Sequence, residues 1–182
     1  MILRTTRALW PVVPELFRAD PWLVLFYVLT ATQGGHLLEH VAQMVQIHVL
    51  GLQGANARGV VGVLDIEWVH FIWNTWVLAA GLILLWRYQA DRWLWAIVPF
   101  LVWHDIEHAY MMMVYLKTGV AGGPGPLAAG GLIGGGLPIT RPDLHFLYNL
   151  VETIPLFLAF MHRVRLTAAA LPGQRLARPA WR

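Results

Sequence analysis

His36-Leu37-Leu38-Glu39-His40 and His104-Asp105-Ile106-Glu107-His108 stand at an offset of 68 residues, and Met44 and Gly51 recur at the same offset as Met112 and Gly119. A second pair follows the first. His70-Phe71-Ile72-Trp73-Asn74 and His145-Phe146-Leu147-Tyr148-Asn149 share His, Phe and Asn, with an aromatic residue before each Asn, at an offset of 75. The order is therefore HxxEH, HFxxN, HxxEH, HFxxN. Two different motifs recurring in one order indicate tandem duplication of a two-motif unit.

Each motif lies in a long apolar stretch. A helix crossing a bilayer needs about 20 mostly apolar residues, and four segments qualify: Pro21–Leu50, Asp65–Trp86, Trp93–Thr118 and Leu144–Val164. Composition agrees, with 58% hydrophobic residues, 13% charged and ten Trp in 182 residues. Ordinary soluble domains carry about 25% charged residues, and Trp favours membrane interfaces. The expected fold is an all-α integral membrane protein, a four-transmembrane-helix bundle formed by duplication of a two-helix unit. Its parts are an N-terminal segment over 1–20, repeats over 21–92 and 93–165, and a basic tail over 166–182. No cleavable signal peptide is apparent, because Pro11, Pro14, Glu15, Arg18 and Asp20 interrupt the first apolar stretch.

Lys and Arg set the expected orientation. Arg4, Arg7, Arg18, Arg87, Arg92, Arg163, Arg165, Arg175, Arg178 and Arg182 fall on one side, against Arg58, Lys117 and Arg141 on the other. Both termini are then cytoplasmic and the chain is multi-pass. The connections at 51–64 and 119–142 are rich in Gly and small apolar residues. They are either flexible linkers or a cap lying at the membrane interface over what the helices enclose, and their low polarity favours the cap.

The chain has no cysteine and a net charge of +3, without a long basic run. Thiolate metal sites, Fe–S clusters and disulfides are excluded, and nothing points to nucleic acid. The polar residues are concentrated. Residues spaced i, i+3, i+4 and i+7 share a helix face, so His36, Glu39, His40 and Gln43 form one stripe and His104, Glu107 and His108 its counterpart. His70 and Asn74 share a face with Glu67, and His145 and Asn149 with Glu152. With alternating helix direction, all four motifs meet at one level in the extracytoplasmic half. His48 and His162 remain near span ends, where interfacial or solvated positions are expected. A charged residue at a membrane centre costs about 2.5–3.5 kcal/mol, so six His and four Glu at one level call for a compensating cation. Expected ligands are His36, Glu39, His40, His70, His104, Glu107, His108 and His145. Glu39 and Glu107 are possible bridges, and Asn74 and Asn149 are outer partners that orient imidazoles or distant ligands. Glu67 and Glu152 are unmatched in the repeat, aligning with Pro142 and Val77, and are the candidate catalytic carboxylates. The donor count fits two transition metals, iron or copper, with zinc also compatible. Met44 and Met112 would add copper-favouring thioethers or are packing residues.

The pattern resembles two known designs. Glu67-Trp68-Val69-His70 matches the Glu-x-x-His signature of soluble di-iron carboxylate bundles. The spaced His boxes resemble those of integral-membrane desaturases and alkane hydroxylases, although those boxes are usually HxxxH and HxxHH and face the cytoplasm. Three functions follow as expectations: an oxidoreductase acting on an apolar substrate or O₂, a membrane zinc hydrolase with Glu107 or Glu152 as base, and a non-enzymatic metal-handling, haem-binding or accessory subunit. Lipid is the expected surrounding, with an electron donor or partner membrane subunits besides.

Overall fold

The computed structural model describes residues 13–171, so Arg4, Arg7, Arg175, Arg178 and Arg182 lie outside it. Among the described residues five α-helices run in order: α1 Val13–Ala19, α2 Trp22–His48, α3 Glu67–Arg87, α4 Arg92–Thr118 and α5 Arg141–Ala170. Among the described residues there is no strand. The motif pairs fall on α2 to α5, one motif to a helix. At 1.5 Å per residue, the 27 residues of α2 and of α4 span about 40 Å.

Helix boundaries follow local chemistry. The Asp91 carboxylate accepts from Trp93 N at 2.9 Å and Leu94 N at 3.3 Å, capping α4 after a four-residue turn. Thr140 caps α5, and Pro142 occupies its first turn, where a missing N–H costs nothing. Around the bundle, α2 packs on α5, α5 on α4 and α4 on α3, while α3 touches α2 only lightly. The half of the bundle nearest the α3–α4 turn is filled by Phe26, Leu29, Val77, Leu84, Ile97, Leu156 and their neighbours. At that end Asp20 accepts from Tyr88 Oη at 3.0 Å and from Arg163 Nε at 3.3 Å. Burial and the bond to Asp20 push the Tyr88 hydroxyl up to about 12, so it remains a donor well above neutral pH.

Buried polar side chains and exposed apolar ones occur together on the long helices. Leu38, Ile72, Trp95 and Ile154, one on each long helix, are 51–68% exposed, whereas Gln33, His104, Asn149 and Glu152 are at most 1% exposed. Two helices, α3 and α5, are long and apolar enough to cross a membrane. α2 and α4 are as long, but Gln33, His36, Glu39, His40 and Gln43 on one, and His104, Asp105, Glu107 and His108 on the other, lower their apolarity.

Both Gly-rich connections fold back over the motif end of the bundle. Gln43 Nε2 donates to Ala57 O at 3.0 Å, Gln46 exchanges two hydrogen bonds with Gly59, and Gly122 N donates to Glu67 Oε1 at 2.9 Å. Ala128 and Leu127 pack on Leu144 and Tyr148.

Candidate metal centre

α2 places His36 and His40 one turn apart, with Nε2 atoms 3.3 Å from each other. α4 repeats the arrangement with His104 and His108 at 3.1 Å. His108 Nε2 is also 3.2 Å from His145 Nε2 on α5, and the His70 ring of α3 stacks on His108 with centroids 5.7 Å apart. The six motif imidazoles thus form one cluster. Two overlapping sets within it could hold a metal ion: His36, His40, His70 and His145, and His104, His108 and His145, with donor atoms within 4.8 Å of one another.

The hydrogen bonds fix which nitrogen faces inward. A neutral imidazole carries one N–H and one lone pair. Gln43 donates through Nε2 to Ala57 O, so its Oε1 is the atom facing His40 Nδ1 at 3.1 Å. His70 Nδ1 lies 3.1 Å from Ile66 O, and His104 Nδ1 lies 2.6 Å from Glu152 Oε1. Each of these three partners is an acceptor, so Nδ1 holds the proton and Nε2 presents a lone pair to the cluster. Neighbouring lone pairs at such distances repel, and a cation between them reverses the sign. An Nδ1–H held by a carboxylate or carbonyl while Nε2 faces inward is the arrangement of metal-binding histidines. His108 Nδ1, by contrast, is buried with no partner.

The carboxylates surround this cluster and lie outside both histidine sets. Glu152, 1% exposed, also accepts from Gln33 Nε2 at 3.0 Å, and Gln33 Oε1 accepts from Trp73 Nε1 at 3.1 Å. Glu39 accepts from Val61 N in the first connection at 2.5 Å and packs against Gly59, whose φ is +81°. Glu107 accepts from Arg141 Nη1 at 3.1 Å beside Gly125, whose φ is +66°. In both halves the repeated Glu therefore meets a left-handed glycine of the loop that follows its own helix, where a side chain would collide with it. Glu67 holds Gly122 N. Asn74 and Asn149 each donate to the carbonyl four residues back, His70 O and His145 O, at 2.9 Å. Asn149 Oδ1 also accepts from Gln33 Nε2 at 3.0 Å. His48 and His162 stand apart, on Asp143 at 2.6 Å and Asp91 at 3.0 Å. Met112 lines an outward groove with Trp68 and Phe71.

Two residues escaped the sequence reading. Gln33 is three before His36 on the same face, so extending the stripe by one turn would have included it. Asp65 Oδ1 lies 3.8 Å from His70 Nε2, but its place at the start of a span marked it only as a boundary.

Two cavities reach the cluster. One of about 250 Å³ lies between α2 and α3 and touches His36, His40 and His70. The other, about 440 Å³, lies under the connections with Glu67, Arg141, His70 and His145 in its wall. No family model, no curated protein and no solved structure matches the chain.

Proposed function

We propose that this chain is a four-span membrane protein, with cytoplasmic termini, whose histidine cluster holds two redox metal ions and serves an oxidoreductase acting on an apolar substrate or O₂. The observation that carries the proposal is the convergence of imidazole rings from four helices, with the Nδ1 protons of His40, His70 and His104 held from behind. Apolar exposure around all four long helices supports four spans. The described basic residues Arg18, Arg87, Arg92, Arg163 and Arg165 belong to the Asp20–Tyr88–Asp91 end, which supports a cytoplasmic position for that end.

His36, His40 and His70 would hold one ion and His104 and His108 the other, with His145 between them. Iron or copper would supply electron transfer and O₂ binding at these positions. The protein's own part is to fix the imidazoles, through Gln43, Ile66 O and Glu152, and to exclude water from the deep side. The apolar core from Leu29 to Leu156 closes that side, so a transporter, which needs access from both faces, fits less well. Haem fits less well too, because the six rings touch at centroid distances of 4.4–6.2 Å with no planar slot between them. A zinc hydrolase is the second reading. It rests on Glu39, which lines the smaller cavity beside His36 and His40 while staying outside the ligand sets, the place a general base would take.

Elemental analysis of the purified protein beside a His40→Ala, His108→Ala variant tests this. The expected result is about two iron or copper atoms per chain, since a single ion needs only three or four of the six imidazoles, and their loss in the variant. Zinc would favour the hydrolase, and no stoichiometric metal would overturn both.

A further inference from the structure

The two halves of the repeat differ where access to the cluster is decided. The smaller cavity has Thr32 and Gly35 on its α2 wall and Val69 and Trp73 on its α3 wall. At the repeat offsets, Thr32, Gly35 and Trp73 correspond to Phe100, Trp103 and Tyr148. In the second half these three rings close the seam between α4 and α5. Phe100 stands edge-on to Tyr148 with centroids 5.1 Å apart, and Trp103 Nε1 donates to the Tyr148 hydroxyl at 3.1 Å. In the first half the same seam is open.

Packing does not require the glycine. A Cβ on Gly35 would meet nothing within 4 Å, and a glycine inside a helix weakens it. What Gly35 provides is space, on an exposed stretch of α2, leading to buried His40. The walls there are apolar, and the polar groups of the cavity are already engaged: Glu39 by Val61 N, Arg58 by Asp65. Outside the mouth, Val28, Leu38, Ile72 and Trp76 are exposed, so in a membrane the opening faces acyl chains. The larger cavity, with Arg141 and Glu67, offers a separate polar approach.

We infer, resting on the metal reading of the cluster, that the slot between α2 and α3 is a lateral entrance taking an uncharged apolar molecule from the lipid to the metal held by His36, His40 and His70, and that Gly35 keeps it open.

Two measurements on the full chain in lipid vesicles test this. The first follows removal of bound metal by neutral 1,10-phenanthroline and by its charged, sulfonated analogue. In wild type the neutral chelator acts faster. Gly35→Trp, which copies the closed half, brings the neutral chelator down to the rate of the sulfonated one and leaves metal content unchanged. Gly35→Leu gives the same result with a smaller plug, should Trp disturb folding. An unchanged phenanthroline rate in a folded, metal-loaded variant overturns the entrance. The second needs no metal. The chain has no cysteine, so Gly35→Cys carries a single nitroxide. Stronger relaxation of that nitroxide by O₂ dissolved in the bilayer than by a water-soluble nickel chelate is expected, and the reverse order overturns a lipid-facing slot. Absence of metal from wild type would remove the metal reading, and with it the role assigned to the slot, while the nitroxide still reports where the slot opens.

Discussion

Replacing Glu152 with Gln isolates the carboxylate behind His104. The two side chains are each 1% exposed and 2.6 Å apart, so neither water nor a neighbour can substitute. Gln keeps the shape but offers one acceptor and one donor where Glu offers two acceptors. If the amide oxygen faces His104 Nδ1, the amide NH₂ faces Gln33 Nε2, another donor; if it is turned over, the NH₂ meets the His104 N–H. One of the two contacts fails in either orientation. Outer-shell substitutions of this kind typically lower metal affinity 10–100-fold, which is about 1.4–2.8 kcal/mol at 1.4 kcal/mol per decade. The assay is competition against a chelator of known affinity on the purified protein. The loss should fall on one of two ions, because His36 and His40 have no corresponding carboxylate: Val77 occupies the aligned position. Affinity within a factor of two or three of wild type would refute the assignment of Glu152 to His104 orientation, as would an equal loss of both ions.

Gly125→Ala puts a Cβ 2.7 Å from Arg141 Nη1 and 3.0 Å from Glu107 Oε1 at φ +66°; it should destabilise the fold by roughly 1–3 kcal/mol through left-handed strain plus displacement of that pair. Gly122→Ala, with φ +77° and nothing within 4 Å, bears the strain alone and should cost less in the same thermal unfolding series. Tyr88→Phe should cost about 1.5–3 kcal/mol, the usual worth of a hydrogen bond to a charged group. The Tyr88 hydroxyl has its pKa raised to about 12 from about 10 in the unfolded chain, so its contribution is complete below about pH 10 and is lost as pH rises towards 12. Chemical denaturation across that window should fall in wild type and stay flatter in the variant.

Much of the site was legible in the sequence because the duplication repeats it. HxxEH and HFxxN at constant offsets located all six clustered imidazoles, and helix periodicity put them on inward faces. The roles of the carboxylates were not legible. Glu39 and Glu107 share a turn with the clustered histidines, and only the path of the following loop shows that each meets a glycine. Asn74 and Asn149 likewise spend their amide N–H on the preceding turn of their own helix. Glu152 was singled out, with Glu67, as a carboxylate unmatched in the repeat and a candidate catalytic group. Its partner could not be read, because the contact with His104 joins α5 to α4 across 48 positions. The all-helical architecture followed from the apolar segments, with limits within about three residues except at the end of α5, which runs on to Ala170.

The broken symmetry also separates what the polar network does for folding from what it does for metal. Gln33 on α2 and Glu152 on α5 align with Leu101 on α4 and Val77 on α3, which are 3% and 1% exposed at the symmetry-related α3–α4 interface. That interface therefore shows that the same framework packs with apolar residues there. Glu152→Val alone leaves Gln33 Nε2 with only Asn149 for a partner and should cost about 1–3 kcal/mol for the weakened buried donor. Adding Gln33→Leu and Trp73→Phe removes the Gln33 amide and the Trp73 N–H that depends on it, leaving Asn149 Oδ1 and His104 Nδ1 as the groups without their partners. Replacing a buried polar set by apolar residues of similar shape is often neutral or stabilising, so the triple variant should regain part of the stability lost by the single one. Metal affinity should not return with it, because His104 Nδ1 still lacks an acceptor. Recovery of both together in one thermal and one chelator titration would mean that Glu152 acts only through packing. Recovery of stability alone would mark the Gln33–Glu152 pair as a device for the metal centre.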